Sequence, residues 1–392
     1  MSVFLSIWNH PVAIAAALVL IVLTAPLTLE LALLTAASLL RGKRRRAGRS
    51  CAVRLAVVIP AHNEELLIAR TVLSAQTATG ADAIIVVADN CTDRTAAVAA
   101  AAGARVLVRT DAVKRGKGFA LRFAFDTLTA EGFDSALVID ADSVISANLI
   151  AESRFLLEQG EDVVQCRYEV ANQNDSPRTR LMQLAFLAFN VLRPLGRSRL
   201  GLSAGIYGNG FAVNARAMEL FEASSIVEDL EFHLSLLRHG MKVAFAEEAV
   251  VWGDMPAGGT ASETQRSRWE GGRLRMAVLH VGGLMKDIAK GRVALIEPLL
   301  DLVGLPLAFH VAAVVVLMLV PAKIALLWGA ASLAVVLLYA VRAASLGDFE
   351  KNLRTMALAP GYVIWKLAMA RSILRSAQAN ADWVRTQRTT NG

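Results

Sequence analysis

Val138-Ile139-Asp140-Ala141-Asp142 is a short apolar run that ends in Asp-X-Asp. It reads as the end of a buried strand, Ala136–Asp140, that carries carboxylates to its carboxyl edge. The same kind of run recurs upstream. Leu55–Ile59, Ala83–Ala88 and Arg105–Arg109 read as strands, and Leu66–Ala78, Thr95–Ala102 and Phe119–Leu128 read as the helices between them. A βαβα alternation predicts an α/β domain with a mostly parallel sheet covered on both faces, here over residues 51–273. Such sheets bind ligands at the carboxyl ends of their strands. Polar residues collect there: His62-Asn63-Glu64, Asp89-Asn90, Asp140 and Asp142.

Alternation along a strand sends Asp140 and Asp142 to one side. Two carboxylates so close repel each other unless a cation sits between or beside them. Mg²⁺ or Mn²⁺ with a diphosphate meets that need, because these ions take one or two carboxylates and complete their shell with phosphate oxygens. A pair of exposed loop aspartates is the plainer alternative.

Four further clusters are weaker singly. In Val57–Glu65 a strand ends at Pro60 and is followed by Asn63 and Glu64, which ordinary helix capping also explains. In Asp89-Asn90-Cys91-Thr92-Asp93, one aspartate suits a cap and leaves the other for a base or a ribose hydroxyl. Lys114-Arg115-Gly116-Lys117-Gly118 precedes a helix, where glycine admits a close backbone approach and lysine neutralises phosphate. It is neither a Walker A loop nor a Rossmann fingerprint. Glu228-Asp229 opens a helix, as a cap or as a base for an acceptor hydroxyl. Near residue 265, Gln265, Arg268 and Trp269 share one helical face. A guanidinium suits a diphosphate, an indole suits a sugar ring, and an interfacial basic-aromatic helix is the competing reading.

Outside this domain the composition changes. Mean hydropathy is +0.46, with 55% hydrophobic and 19% charged residues, the mixture of a soluble domain joined to membrane helices. Val12–Leu29 is uncharged and long enough to span a bilayer. Arg41, Lys43, Arg44, Arg45, Arg46, Arg49 and Arg54 follow it. A basic block directly after an apolar span reads as juxtamembrane topology rather than nucleic-acid binding, and a cleaved signal peptide is disfavoured because the charge follows the apolar run. Residues 1–50 are therefore expected to be a membrane anchor with everything after Arg41 entering the cytoplasm. Leu302–Val320 and Ile324–Val341, separated by Pro321-Ala322-Lys323, read as a membrane hairpin over 299–343, with His310 packed and hydrogen-bonded inside. Leu274–Lys290, in the interval 274–298, and the stripe Val363, Leu367, Ala370, Leu374 and Ala377, in the tail 344–392, read as basic amphipathic helices in the headgroup plane, with Lys366, Arg371 and Arg375 off the stripe. Packing on the catalytic domain is the alternative. Cys51, Cys91 and Cys166 lack metal-ligand spacing and read as reduced thiols.

Taken in order, Asp89, Asp140-Ala141-Asp142, Glu228-Asp229 and Gln265–Trp269 resemble the signature of the family 2 inverting glycosyltransferases with a GT-A fold, the group that includes cellulose, chitin and hyaluronan synthases. Gly208-Asn209-Gly210 is similar to that group's glycine-rich segment beside the donor sugar. The resemblance covers about residues 55–275. It implies a nucleotide-sugar donor, UDP-linked, bound by Pro60, Asn63, Glu64, Asp89, Lys117, Asp140, Asp142, Gly208, Asn209, Gln265 and Arg268. It further implies Mg²⁺ or Mn²⁺ on Asp142 and Asp140, Asp229 as base with Glu228 in support, and Trp269 at the acceptor. The implied setting is the plasma membrane, facing the cytoplasm, with membrane lipids and a glycan or lipid-linked acceptor as partners and no nucleic acid. Three membrane helices leave a polysaccharide channel cramped, and the ceramide glucosyltransferases share this layout. Gln265, often missing from their last motif, favours a growing glycan. A non-catalytic scaffold would have lost a metal aspartate, the base or Arg268-Trp269, and none is lost. A homo-oligomer or an export partner stays open.

Overall fold

The computed structural model describes residues 10–42, 52–78, 80–222, 228–256 and 259–376. Two compact units make up the chain: Arg41–Met255, and Met1–Leu40 together with Pro256–Gly392.

The first unit is built on eight strands: β1 (Leu55–Ala61), β2 (Ala83–Asp89), β3 (Arg105–Arg109), β4 (Ser135–Val138), β5 (Ser143–Ile145), β6 (Val163–Val170), β7 (Phe211–Asn214) and β8 (Val243–Gly253). Their order is β3-β2-β1-β4-β7-β6-β8-β5. β1, β2, β3 and β4 are mutually parallel, as are β6 and β8, while β7 and β5 run against their neighbours. The α/β fold expected from the alternation is the one observed. Leu55, Ala56, Val57, Val58 and Ile59 are all fully buried, which is why β1 reads as an unbroken apolar run: both faces are covered. Val57, Ile59, Val86, Leu137 and Ile139 pack against Ile68, Val72, Leu149 and Leu156 of the helices Ile68–Thr77 and Leu149–Glu158. The helix Lys117–Ala130 buries Leu121, Phe125 and Leu128, and Phe125 meets Phe221 edge-on at 5.3 Å. Each such side chain contributes roughly 1.5–3 kcal/mol.

Pro60 lies within β1, where a proline would ordinarily cost a ladder bond. The β1–β4 register ends at Val58↔Val138, whereas β1–β2 continues to Ala61↔Ala88. Pro60 therefore stands beyond the end of β4. Because β2 and β4 flank β1 on opposite sides, the strand order reverses direction between β1 and β4, and in such sheets ligands bind at the carboxyl ends of the strands beside that point.

One local expectation is corrected. β4 stops at Val138, and the Ser143 amide donates to the Asp140 carbonyl at 3.1 Å. Asp140 and Asp142 are thus on a tight turn between β4 and β5, and strand alternation has no part in how they are placed.

In the second unit, Pro11–Ala37 and Lys323–Ala344 are long and apolar enough to cross a membrane. The expected Leu302–Val320 span is different. Val293–Val303 and Leu307–Met318 are helical and bent by 76° at the break. Pro306 lacks an N–H and drives Leu305 from helical geometry, so the 12-residue helix Leu307–Met318, roughly 18 Å long, is too short for a bilayer by itself. His310 is fully buried, as expected. The Thr28 hydroxyl lies 3.4 Å from His310 Nε2 and donates to Ser332 Oγ at 3.1 Å, which joins three helices.

Gly259–Ala289 is one 31-residue helix. Gln265–Trp269 and Leu274–Ala289 therefore share an element, and the division between the two compact units falls at Met255/Pro256. The tail forms Ala359–Ala368 and Ala370–Ser376. Lys366, placed by its spacing off the apolar stripe, is buried with Nζ 2.5 Å from Glu270 Oε1, while Leu374 is 60% exposed. A paired lysine tolerates burial because its stem packs as hydrocarbon. Residues 43–51 and Ala377 lie outside the described residues.

Candidate active site

The loops after β1 and β2 are stitched together. Asn63 and Asn90 hold positive φ, 56° and 51°, a conformation that asparagine tolerates better than most residues. The Asn63 side chain accepts from the Thr92 amide at 2.7 Å, and the Glu64 amide donates to Thr95 Oγ1 at 2.7 Å. Asp93, two residues ahead of the helix Thr95–Ala101, accepts from the Thr95 amide at 2.9 Å. Asp89 is engaged differently: its Oδ1 is 2.5 Å from Arg109 Nη1, with both side chains nearly buried. Its carboxylate is thus oriented by a guanidinium at the end of β3. Arg109 was not singled out from the sequence, although a basic residue at a parallel strand end was the available signal.

Gly116, at φ +115°, opens the helix that begins at Lys117. Lys117 Nζ lies 2.5 Å from Asp140 Oδ1 and also donates to the Gly208 carbonyl. The Asp140–Asp142 turn is tied down at every side. The Asp140 amide donates to Asn209 Oδ1 at 3.0 Å, Thr71 Oγ1 to the Ala141 carbonyl at 2.8 Å, and Arg70 Nη2 to the Asp142 carbonyl at 2.8 Å. Arg70 is itself held by Asp254 at 2.6 Å. Thr71 and Arg70 carry no motif that sequence reading could have found. With its backbone satisfied, the turn presents two half-buried carboxylates. Asn209 is fully buried and its Nδ2 donates to Ser143 Oγ at 2.9 Å. It therefore holds the turn from behind.

Gly208 has φ +75°. A Cβ there would stand 3.3 Å from Asp229 Oδ2 and 3.8 Å from Lys117 Nζ. Asp229 and the Lys117–Asp140 pair therefore meet across this glycine. Asp229 Oδ1 also accepts from the Leu230 amide at 2.9 Å, as a helix-terminal aspartate does. Burial, then the neighbouring Asp229, pushes the Glu228 carboxyl up to about 7. Burial likewise raises Asp229. Burial works against the Lys117 charge, but Asp140, Glu228 and Asp229 together outweigh it and hold the ammonium above its ordinary range.

The raised Glu228 carboxyl makes a stability prediction. Its folded pKa lies above the unfolded value, so the folded state binds more protons between about 4.5 and about 7. Its contribution to stability therefore falls as pH rises through that window. Glu228→Gln is expected to stabilise the chain by about 1–3 kcal/mol at pH 8, discounted for partial exposure, and by nothing near pH 4. Melting curves at the two pH values check this; equal shifts at both would refute it.

Gln265, Arg268 and Trp269 lie on the helix Gly259–Ala289 of the other unit. The side chains of Gln265 and Arg268 lie outside the described residues. Trp269 is half-buried, with the Arg266 guanidinium 5.6 Å from its ring. Among the described residues no group of three or more His, Cys, Asp or Glu is arranged to hold a metal. The Asp140–Asp142 pair nonetheless fits a hard cation that draws its remaining ligands from phosphate oxygens.

A family profile described as "Glycosyltransferase like family 2" matches residues 53–272. The chain belongs to this family. Relatives within reach include the probable glycosyltransferase YdaM of Bacillus subtilis (strain 168), 25% identical over 233 residues, 56% of this chain and 55% of YdaM. The chain thus spans about half the length of that relative. Protein RfbJ of Shigella flexneri is 34% identical over 122 residues, 31% of this chain and 90% of RfbJ. Among solved structures, the mannosyltransferase PcManGT from Pyrobaculum calidifontis, in complex with GDP-Man and Mn²⁺, is 18% identical with a TM-score of 0.57, covering 93% of this chain and 96% of that one. At that identity the likeness concerns the fold, and it is the GT-A fold of this family 2 glycosyltransferase that it supports.

Proposed function

We propose that the chain is a membrane-bound inverting glycosyltransferase that moves a sugar from a nucleotide-sugar to an acceptor hydroxyl at the cytoplasmic face of the plasma membrane. The observation that carries this reading is the meeting of Lys117, Asp140 and Asp229 across Gly208 beside the Asp140–Asp142 turn. Attack at an anomeric carbon needs a base on one face and a stabilised leaving diphosphate on the other. Asp229, raised by burial, accepts the acceptor proton, and Glu228 supports it. Lys117 stabilises the diphosphate, a task that the family resemblance also gives to Gln265 and Arg268. Pro60, Asn63, Glu64 and Asp89 border the nucleotide, Gly208 leaves room for the sugar, and Trp269 lines the acceptor. Mg²⁺ or Mn²⁺, held by Asp142 and Asp140, would supply positive charge to the leaving diphosphate.

The finer reading is elongation of a growing β-linked glycan from a UDP-sugar, supported by Gln265. Transfer of one sugar to a lipid-linked acceptor is the second reading. It is supported by the bent pair Val293–Val303 and Leu307–Met318, which among the described residues leaves two unbroken helices long enough to span. Incubating the purified protein with a panel of UDP- and GDP-sugars, with nucleotide release and product mass as readouts, tests both. GDP-mannose belongs in the panel because PcManGT binds it. A polymer ladder supports elongation, a single added hexose on lipid supports the second reading, and no release from any donor would defeat the proposal.

The proposed topology puts residues 41–290 inside and the Pro321–Lys323 turn outside. Single cysteines in a cysteine-free background check it: Val113→Cys, at an 89% exposed position, should resist an impermeant thiol reagent on intact cells, and Lys323→Cys should react. The reverse pattern would invert the orientation.

A further inference from the structure

Gln165 lies in β6 with its side chain fully buried. A buried primary amide must place two N–H donors and an acceptor oxygen. Here Nε2 donates to the carbonyls of Asn209 at 2.8 Å, Cys166 at 2.9 Å and Gly210 at 3.2 Å. Oε1 accepts from the Tyr207 amide at 3.0 Å. Three of these four partners belong to one loop, Tyr207–Gly210, whose path depends on positive φ at Gly208 and Gly210. The loop touches the site twice. The Gly208 carbonyl takes Lys117 Nζ, and the Asn209 side chain bridges the Asp140 amide and the Ser143 hydroxyl. A single amide thus stands behind both the cationic group and the carboxylate-bearing turn. An apolar side chain of equal size would fill its volume and leave the Tyr207 amide and the Asn209 carbonyl without these bonds, deep in a low-dielectric interior.

We infer that Gln165 is a positioning residue of the donor site: it holds the Tyr207–Gly210 loop in the form from which Gly208 and Asn209 set Lys117 and the Asp140–Asp142 turn. The inference rests on reading that site as the seat of a nucleotide-sugar diphosphate. Gln165→Met keeps the length and removes all four bonds. Titration with UDP and GDP in Mn²⁺ should show a loss of about tenfold or more in affinity for the preferred nucleotide. The Mn²⁺ concentration for half-maximal turnover should rise in step, as when a partner that orients a ligating group is removed, while kcat per folded molecule changes less.

Gln165→Glu provides a second, independent readout. An ionised carboxylate faces three carbonyls and repels them, whereas its protonated form restores one donor and the acceptor for Tyr207. The activity of Gln165→Glu relative to the unaltered chain at the same pH should therefore rise as pH falls from 8 to 6. A flat ratio overturns the inference. So does a Gln165→Met protein with a lowered melting temperature but unchanged nucleotide affinity and Mn²⁺ requirement, since that is all a structural role would produce. If the unaltered chain binds neither nucleotide in Mn²⁺, the donor-site reading itself fails and the inference goes with it.

Discussion

Asp229→Asn is expected to lower turnover by a factor of about 10² or more and to leave nucleotide-sugar affinity nearly unchanged, the usual consequence of losing a positioned general base. Asp229 Oδ2 lies against the Gly208 position, whose carbonyl anchors Lys117. Burial raises the Asp229 carboxyl, which makes it a better proton acceptor than an exposed aspartate. Asparagine matches its size and can still accept from the Leu230 amide, now made at 2.9 Å. The helix terminus should therefore survive the substitution, and the lost function is the acceptance of a proton. Asp140, Asp142 and Lys117 are untouched, so donor binding should persist. The two measurements are a melting curve and a turnover assay on the same preparation. A lower melting temperature with normal turnover per folded molecule would make Asp229 a cap, worth about 1 kcal/mol, and leave the base unassigned. Glu228→Gln should reduce turnover less if that residue only supports its neighbour.

Asp142→Ala should abolish the dependence of nucleotide binding on a divalent cation and lower turnover by a factor on the order of 10³, since a cation at the leaving group contributes several kcal/mol. The reason to single out Asp142 is geometric. Asp140 already commits Oδ1 to Lys117 at 2.5 Å, so its carboxylate is partly neutralised from within the chain. The backbone of the turn is held by Arg70, Thr71 and Asn209. The turn should keep its shape in the variant. Calorimetry of nucleotide binding with Mn²⁺ and with EDTA decides the matter. Equal affinity of the unaltered chain in both conditions would remove the metal from Asp142 and Asp140.

How much of this was legible beforehand varied along the chain. Leu55–Ile59 and Ala83–Ala88 were readable as strands because parallel strands are buried on both faces and so become continuous apolar runs. β5, β6, β7 and β8 were not named individually. They are short or interrupted, as where the β6–β8 register shifts between Cys166 and Arg167, and their pairing is non-local. The helix Leu307–Met318 was read seven residues longer because hydropathy is blind to Pro306 within an apolar stretch. Lys366 was assigned to the wrong side of its helix because the pairing with Glu270 is 96 residues distant.

The sequence by itself determined the α/β class, the membrane-apolar segments and the residue types of the chemistry: carboxylates at strand ends, a lysine at a helix start, an acidic pair at another. These are local properties, set by periodicity and by which groups an interior tolerates. Tertiary structure alone decided that Asp140 and Asp142 ride on a turn, that Arg109 holds Asp89, that Asn209 lies behind the turn, and that Gln165 lies behind them both. A buried polar side chain carries no periodic signal. Its role is fixed by the unsatisfied backbone groups that folding brings to it, and those come from segments far apart in the chain.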